Sequence, residues 1–404
     1  MIPNNSRFFL FAVAFLFYSC RSSGQLQTND YLSLDTVLVV HSPWYGVQSC
    51  KNGDDIYFIN YNIHVRQDSL NLYKLNTQTL QLDSYLIALP GMRDMLRMHQ
   101  CSEWGSIACN GKYLILNTIS LHCLFENCEG QYVYIYDWQL ETCSDQCALL
   151  NDSVLVFWDM YYGHEPKTSI QFRKLQNGTL IREISPYFFH PLLCYVGFGK
   201  DHLVDVFDEN ILFAHKGKYA VVRYNNNLDS VEAFGREMDD WVSLPKKRIQ
   251  KIQKRFDVHD AGDIIEEEDG WIHTIHQQIG VYHTDSITIL TMYKKPYDKG
   301  GVPEVFLDVW KMHDGEYVLE TSDIADVYHI QVGPDSIITS HSFGMEVVSG
   351  NRYEFTSDKL VMFRKYGSGV NPLGLHWRDY WQLFEKEYSK HGFRLEVCVS
   401  THRF

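Results

Sequence analysis

The sequence predicts an all-β architecture, and three observations carry that prediction. Runs rich in β-branched and aromatic residues recur along the chain, bounded by Asn, Asp and Gly. Many of them alternate apolar and polar residues, as a strand with one buried face requires. The runs also come in sets whose spacing lies near the ~40–50 residues of a four-stranded blade. One blade cannot bury both its faces alone, so the sets must stack radially. The predicted fold is a β-propeller of six four-stranded blades, with seven as the alternative count, interrupted by a helical insertion and a C-terminal helix. A pair of β-sandwiches is the alternative architecture.

The sets follow in order. IYFINYN (56–62), LYKLN (72–76) and TLQLDSYLI (79–87) form the first; GKYLILNT (111–118) and QYVYIYDW (131–138) the second. DSVLVFWD (152–159) and SIQFRKLQNGTLIREI (169–184) form the third, and ENILFAHKGKYAVVRYNNNLDSVEAF (209–234) the fourth. GWIHTIHQQIGVYHTDSITILTMY (270–293) with EVFLDVWKMHDGEYVLE (304–320) form the fifth. DVYHIQVGPDSIITSH (326–341) and KLVMFRKYG (359–367) come last. Aligning third strands places Tyr73, Ile135, Phe172, Val222, Asp308 and Phe363 in equivalent positions. DTVLVV (35–40) and LEVCVS (395–400) alternate cleanly at the two ends and are candidates to close the ring together.

Two segments break the β rhythm. An insertion over about 236–268 contains SLPKKRIQKIQKRF (243–256), with Ser243 as N-cap, Pro245 in the first turn and Ile249, Ile252 and Phe256 on one helical face. Its six basic residues, Lys246, Lys247, Arg248, Lys251, Lys254 and Arg255, suit an anionic surface, or a solvated face paired with the flanking acids. The second segment, about 376–390, aligns Trp377, Tyr380, Trp381, Phe384 and Tyr388 as a stripe that would pack on the propeller rim.

Composition narrows the function. With 36 basic against 50 acidic residues the net charge is −14, and a phosphate-reading surface needs the opposite field, so nucleic acid is not an expected partner. The first twenty residues place Arg7 before an apolar run, Phe8–Tyr18, followed by Ser19-Cys20. Eleven apolar residues are too few to span a hydrocarbon core, which takes ~20, and describe a secretory leader instead.

Cys20 after a small residue, with Arg21-Ser22-Ser23-Gly24-Gln25 behind it, resembles the lipobox of bacterial lipoproteins, although Phe17 and Tyr18 stand where Leu and a small residue are usual. With the blade rhythm, the chain resembles the six-bladed β-propeller lipoproteins of Bacteroidetes-type bacteria, most of which have no assigned activity. The resemblance implies a signal peptide over 1–19, lipidation at Cys20, a tethering linker over 20–33 and the propeller over 34–404. It also implies anchoring to the outer membrane, with the basic and serine residues after Cys20 favouring the periplasmic side. Asp-Ser/Thr-aliphatic triplets at Asp35, Asp68, Asp152, Asp229, Asp285 and Asp335 resemble O-glycosylation acceptors of such proteins, and read equally as turn chemistry before strands.

Nine further cysteines remain beyond Cys20. Cys123-x₄-Cys128 and Cys143-x₃-Cys147 admit a four-thiolate zinc site, local disulfides, or buried thiols acting as small apolar groups. His273, His276 and His283 cluster in sequence, but strand alternation turns His273 and His276 to opposite faces. His329 and His341 flank the last hairpin without a metal-binding pattern. No nucleophile elbow, P-loop, dinucleotide fingerprint or zincin motif is present, so no catalytic, cofactor or metal residues are assigned. The sequence points first to a binding or scaffolding module for an envelope glycan or protein partner. A glycan or lactone hydrolase or lyase working in the central channel is the alternative, and a structural envelope subunit with an apolar rim the third reading.

Overall fold

A computed structural model describes residues 32–42, 46–61, 69–88, 106–117, 121–139, 144–159, 170–184, 202–207, 210–215, 217–227, 229–243, 245, 247, 274–297, 305–325, 352–366 and 393–403. Among them are twenty-four strands in six four-stranded antiparallel sheets. The first blade is β2 (Gly46–Asn52), β3 (Asp55–Tyr61), β4 (Ser69–Asn76) and β5 (Leu82–Ala88). The second is β6 (Ser106–Cys109), β7 (Tyr113–Asn117), β8 (Leu121–Cys128) and β9 (Gln131–Gln139). The third is β10 (Ser144–Leu149), β11 (Val154–Asp159), β12 (Ile170–Lys174) and β13 (Leu180–Ile184). The fourth is β14 (Val204–Phe207), β15 (Asn210–Ala214), β16 (Val221–Tyr224) and β17 (Ser230–Phe234). The fifth is β18 (Gln277–His283), β19 (Thr288–Lys294), β20 (Val305–His313) and β21 (Glu316–Ala325).

The sixth blade takes β22 (Arg352–Phe355), β23 (Lys359–Tyr366) and β24 (Phe393–His402) from the C-terminal end, and β1 (Leu32–Ser42) as its outer strand. Strand β1 runs antiparallel to β24 over ten pairs, from Leu32 opposite His402 to Ser42 opposite Phe393. The ring is therefore closed by the two chain ends, and the closing strand starts at Leu32, inside the stretch read from sequence as linker. First strands touch one another in cyclic order, β2 to β6, β10, β14, β18, β22 and back to β2, so they line the axis of a six-bladed propeller. A sandwich pair has no such cycle. In the second blade the third strand is β8, so Ile135 lies on the outer strand β9. In the sixth Phe363 lies on the second strand, because the fourth is supplied by β1.

Turn chemistry fixes the hairpins. Glu129-Gly130 and Asp314-Gly315 have positive φ at both central residues, as two-residue turns compatible with strand twist require. At Asp285 the carboxylate accepts the N–H groups of Ile287 and Thr288 at 2.8 and 2.7 Å, so this Asp-Ser-Ile triplet is a working Asx turn.

Apolar clusters lie between blades. Ile56, Phe58, Val361, Phe363 and Val397 join the first and sixth; Leu72, Ile107, Leu116 and Phe125 join the first and second. Leu212, Val221, Tyr293 and Trp310 join the fourth and fifth. Each fully buried Phe or Leu contributes about 1.5–3 kcal/mol, so the ring is held mainly by inter-blade burial.

The described start of the insertion precedes its expected helix. Residues 236–243 form an irregular strap with a turn from Met238 to Trp241. Arg236 reaches Asp308 at 3.1 Å and Asp323 at 2.6 Å, and the Trp241 ring stacks on His276 at 4.9 Å. The helix read from sequence over 243–256 would begin where this strap ends, and of that segment only Ser243, Pro245 and Lys247 are described. The 376–390 segment, the leader and Cys20 lie outside the described residues. Among the described residues no helix is long and apolar enough to cross a membrane.

Candidate functional site

Propeller ligands usually meet the chain at one end of the central axis, where the first strands converge, so the side chains of those strands come first. Several are buried and polar: Ser49 on β2, Ser106 on β6, Asp205 on β14, Gln277, Gln278 and His283 on β18, and Glu354 on β22. A charge on such a short apolar strand needs partners, because burial disfavours the ionised form.

The partners come from other blades. Asp205 Oδ2 lies 3.6 Å from Lys51 Nζ of the first blade and accepts the backbone N–H of His283 of the fifth at 2.5 Å. His283 Nδ1 is 3.2 Å from the same oxygen, and His202 Nε2 is 3.5 Å from Oδ1. Lys51 Nζ also donates to the His283 carbonyl. Burial alone would raise the Asp205 pKa, but the Lys51 charge and the hydrogen bonds from His202 and His283 outweigh it and hold the carboxyl well below its usual range. Stacking fixes the rings: His202 lies flat on Tyr282 at 4.5 Å, and Phe207 on His283 at 5.2 Å. Nearby, Ser49 Oγ donates to Glu354 Oε1 at 2.6 Å, joining the first and sixth blades.

Lys51, Asp205 and His283 thus tie three blades across the axis. Chemically, an aspartate bonded to Nδ1 orients an imidazole for proton transfer at its other nitrogen. The same cluster is also a neutral internal clamp, since the ammonium and carboxylate compensate each other.

The two ends of the axis differ in their connections. Links from first to second strand and from third to fourth have two to five residues, such as 53–54 and 225–229. At the opposite face, where second strands pass to third and outer strands to the next blade, links run from three residues (118–120) to forty-two (235–276). Seven of them, 89–105, 160–169, 185–203, 235–276, 295–304, 326–351 and 367–392, have ten residues or more.

Of the sequence candidates, His283 is brought into the axial cluster. His276 sits on the strap instead, its Nδ1 accepting the Val242 N–H at 2.9 Å. His273, His329 and His341 lie outside the described residues. Cys123 is buried and Cys128 exposed on the same strand, five residues and about 16 Å apart at strand rise, which excludes a bond or shared metal between them. Of the six described cysteines, Cys109, Cys123, Cys147 and Cys398 are buried, Cys50 is half-buried and Cys128 is exposed. Cys143 lies outside the described residues, and among those described no three ligating side chains are grouped to hold a metal. Lys51, Asp205 and Glu354 carried no sequence motif. Their one signal is a charged residue within or beside a short apolar first strand, as in Leu203-Val204-Asp205-Val206-Phe207.

The fold is that of a six-bladed β-propeller. No protein-family model matches the sequence, and no curated protein matches it. Among solved structures, a Bacteroides fragilis protein described as exported aligns over 94% of this chain and 98% of its own, at 10% identity and a TM-score of 0.50. A calcium-binding regucalcin from Agrobacterium tumefaciens aligns over 90% and 93% at 10% identity and a TM-score of 0.38. A Bacteroides caccae protein of unknown function aligns over 71% and 72% at 9% identity and 0.31. At these identities the likeness shows the fold, and the last two scores carry no argument.

Proposed function

We propose that the chain is an exported binding module of the bacterial envelope. In this reading a glycan or protein partner is engaged through the propeller face that bears the long connections, and lipid on Cys20 tethers the molecule to the outer membrane on the periplasmic side. The observation that carries the binding role is the asymmetry of the connections. A frame closed by two- to five-residue turns on one face carries ten- to forty-two-residue segments on the other, and recognition concentrates on long connections held by a rigid scaffold. The leader-like first twenty residues support export, and the Bacteroides fragilis protein of the same fold is described as exported.

The test is thermal melting of the full chain against envelope glycans, peptides and divalent metals. A ligand at a hundred times its dissociation constant adds about 2.7 kcal/mol of stability. The shift should vanish when residues 89–105 are replaced by a short turn. A shift that survives all such replacements refutes the assignment to this face. Radiolabelled palmitate retained by the wild type and lost in Cys20→Ser tests the anchor.

The hydrolase or lyase alternative is favoured by one observation, the Asp205-oriented His283. It requires turnover of a glycan or lactone that His283→Gln abolishes while the fold persists.

A further inference from the structure

The strap over residues 236–243 is held at its two ends by different chemistry. At its start Arg236 forks onto Asp323, with Nη1 3.0 Å from Oδ2 and Nη2 2.6 Å from Oδ1. The guanidinium also lies over the Tyr219 and Tyr293 rings, at 5.5 and 5.7 Å. A two-pronged charged pair of this kind is among the stronger polar contacts. The far end is seated by hydrogen bonds to a neutral ring and to backbone. The Val242 N–H donates to His276 Nδ1 at 2.9 Å, and the His276 N–H donates back to the Val242 carbonyl at 3.0 Å. The Trp241 ring stacks on His276, and its Nε1 donates to the Gly217 carbonyl at 3.2 Å. Gly217 belongs to the link between β15 and β16, and a second histidine pins that link: His215 Nδ1 accepts the Gly217 N–H at 3.1 Å.

Both histidines accept at Nδ1, so both must be neutral to do this. In His276 the ring hydrogen is then on Nε2, which is buried with no hydrogen-bond partner among the described residues. A second proton would set an N–H at Nδ1 against the Val242 N–H and turn the bond into a clash of donors. Lifting the strap relieves that clash and gives the Nε2 hydrogen to water. Asp240 on the strap and Lys295 just past β19 act on His276, Lys218 acts on His215, and Tyr219 and Tyr293 back the Trp241 ring. Burial, helped by Lys295, outweighs Asp240 and the Trp241 face and holds the His276 pKa below its usual value. Burial and then Lys218 push His215 down to about 4. Asp323, at the other end, is held at about 2 chiefly by Arg236, so acid reaches the histidine end first.

We propose that His276, with His215 behind it, is an acid-released latch that seats Trp241 and Val242 while neutral and frees them when protonated, with Arg236 as the fixed pivot. The seated strap binds the proton less tightly than the lifted one. Seating is therefore complete above about pH 6.5 and weakens as pH falls toward the seated pKa. The latch closes the base of the forty-two-residue connection 235–276. It rests on the strap's own contacts and not on what the long-connection face binds.

Hydrogen exchange of the full chain, followed at the Val242 amide and corrected for the intrinsic rate, tests it. Protection there should fall by up to about tenfold for each unit of pH below about 6.5, while the core strands β3 and β15 keep theirs. In His276→Asn the amide oxygen takes the acceptor's place and cannot be charged, so the strap should stay seated at about pH 5. With His215→Asn added, the pH dependence should disappear. His276→Ala should show at neutral pH the low protection that the wild type shows only in acid. Protection at Val242 that changes less than about twofold between about pH 7 and about pH 5 overturns the proposal. So does protection that only follows β3 and β15, or pH dependence that persists in the double Asn variant. The wild-type profile decides the matter if the variants do not fold.

Discussion

Replacing Lys51 by methionine keeps most of the side chain's length and removes only its charge. The side chains of Lys51 and Asp205 are 10% and 8% exposed, so the lost partner leaves a carboxylate without its main compensation in a site that water reaches poorly. Breaking a buried pair in this way costs about 3–5 kcal/mol. His202, His283 and a backbone N–H remain on Asp205, which places the expected loss near the lower figure, about 3 kcal/mol. An unfolding entropy of about 2.1 cal/mol/K per residue over ~370 residues is about 0.8 kcal/mol/K, so the melting temperature should fall by about 4 °C. The pH dependence gives a sharper test. In the wild type the Asp205 pKa is depressed, so its contribution is present above the unfolded value near 4 and is lost only as pH falls toward the folded one. Without Lys51, burial is less opposed and the folded pKa rises. The penalty should then be largest at neutral pH and shrink in acid as the carboxyl takes up a proton. Urea unfolding at about pH 7 and about pH 5 would measure it, and Lys51→Met with Asp205→Asn should recover much of the loss at neutral pH. A neutral-pH loss below about 1 kcal/mol, or additive single changes, would refute the clamp.

Four other outcomes follow from the same geometry. His122 is buried against Phe157 and Trp138 with neither ring nitrogen hydrogen-bonded, and its pKa is pushed down to about 3 by burial and then by Arg173. Because the unfolded chain takes up that proton first, stability is lost as pH falls from about 6.5 toward 3; His122→Leu should remove this slope and stabilise at neutral pH by about 1 kcal/mol in denaturant unfolding. Asp323, held at about 2 chiefly by Arg236, loses its contribution as pH falls from about 4 to about 2, and Asp323→Asn should flatten that acid limb in a melting series. Thiol labelling of the native protein should modify Cys128, whereas Cys109, whose thiol burial pushes up to about 11, should react only after unfolding. Deleting Leu32–Ser42 should expose the β24 edge and produce aggregating species on size-exclusion chromatography.

Most of the fold could be read from the sequence because strand alternation is a local signal. β12 with β13 and β15 with β16 and β17 fall where the apolar runs and their Asn-Gly or Asn-Asp turns place them. Blade phase is less local. The second blade's first strand is four residues long, Ser106–Cys109, too short to alternate visibly, so the aligned position slid from β8 to Ile135 on β9. The sixth blade borrows its fourth strand from the far end of the chain, which no count within the C-terminal stretch reveals. The axial cluster was invisible for a related reason: Lys51, Asp205 and His283 are more than seventy positions apart from one another and meet only because three first strands converge. His283 was noticed in the company of His273 and His276, whereas its working neighbour is Asp205.

The pairing of β1 with β24 sets the order in which the molecule can be completed. His41 waits for Arg394, so the earliest strand to leave the ribosome is the last to be satisfied. Until β24 is made, an eleven-residue strand and the matching edge of the sixth blade are both open to other chains. Pairing across such a separation in sequence is slow and exposes unpaired edges to aggregation. A ring whose first described strand pairs only with its last cannot shut until β24 has been made, so it stays threadable up to that point.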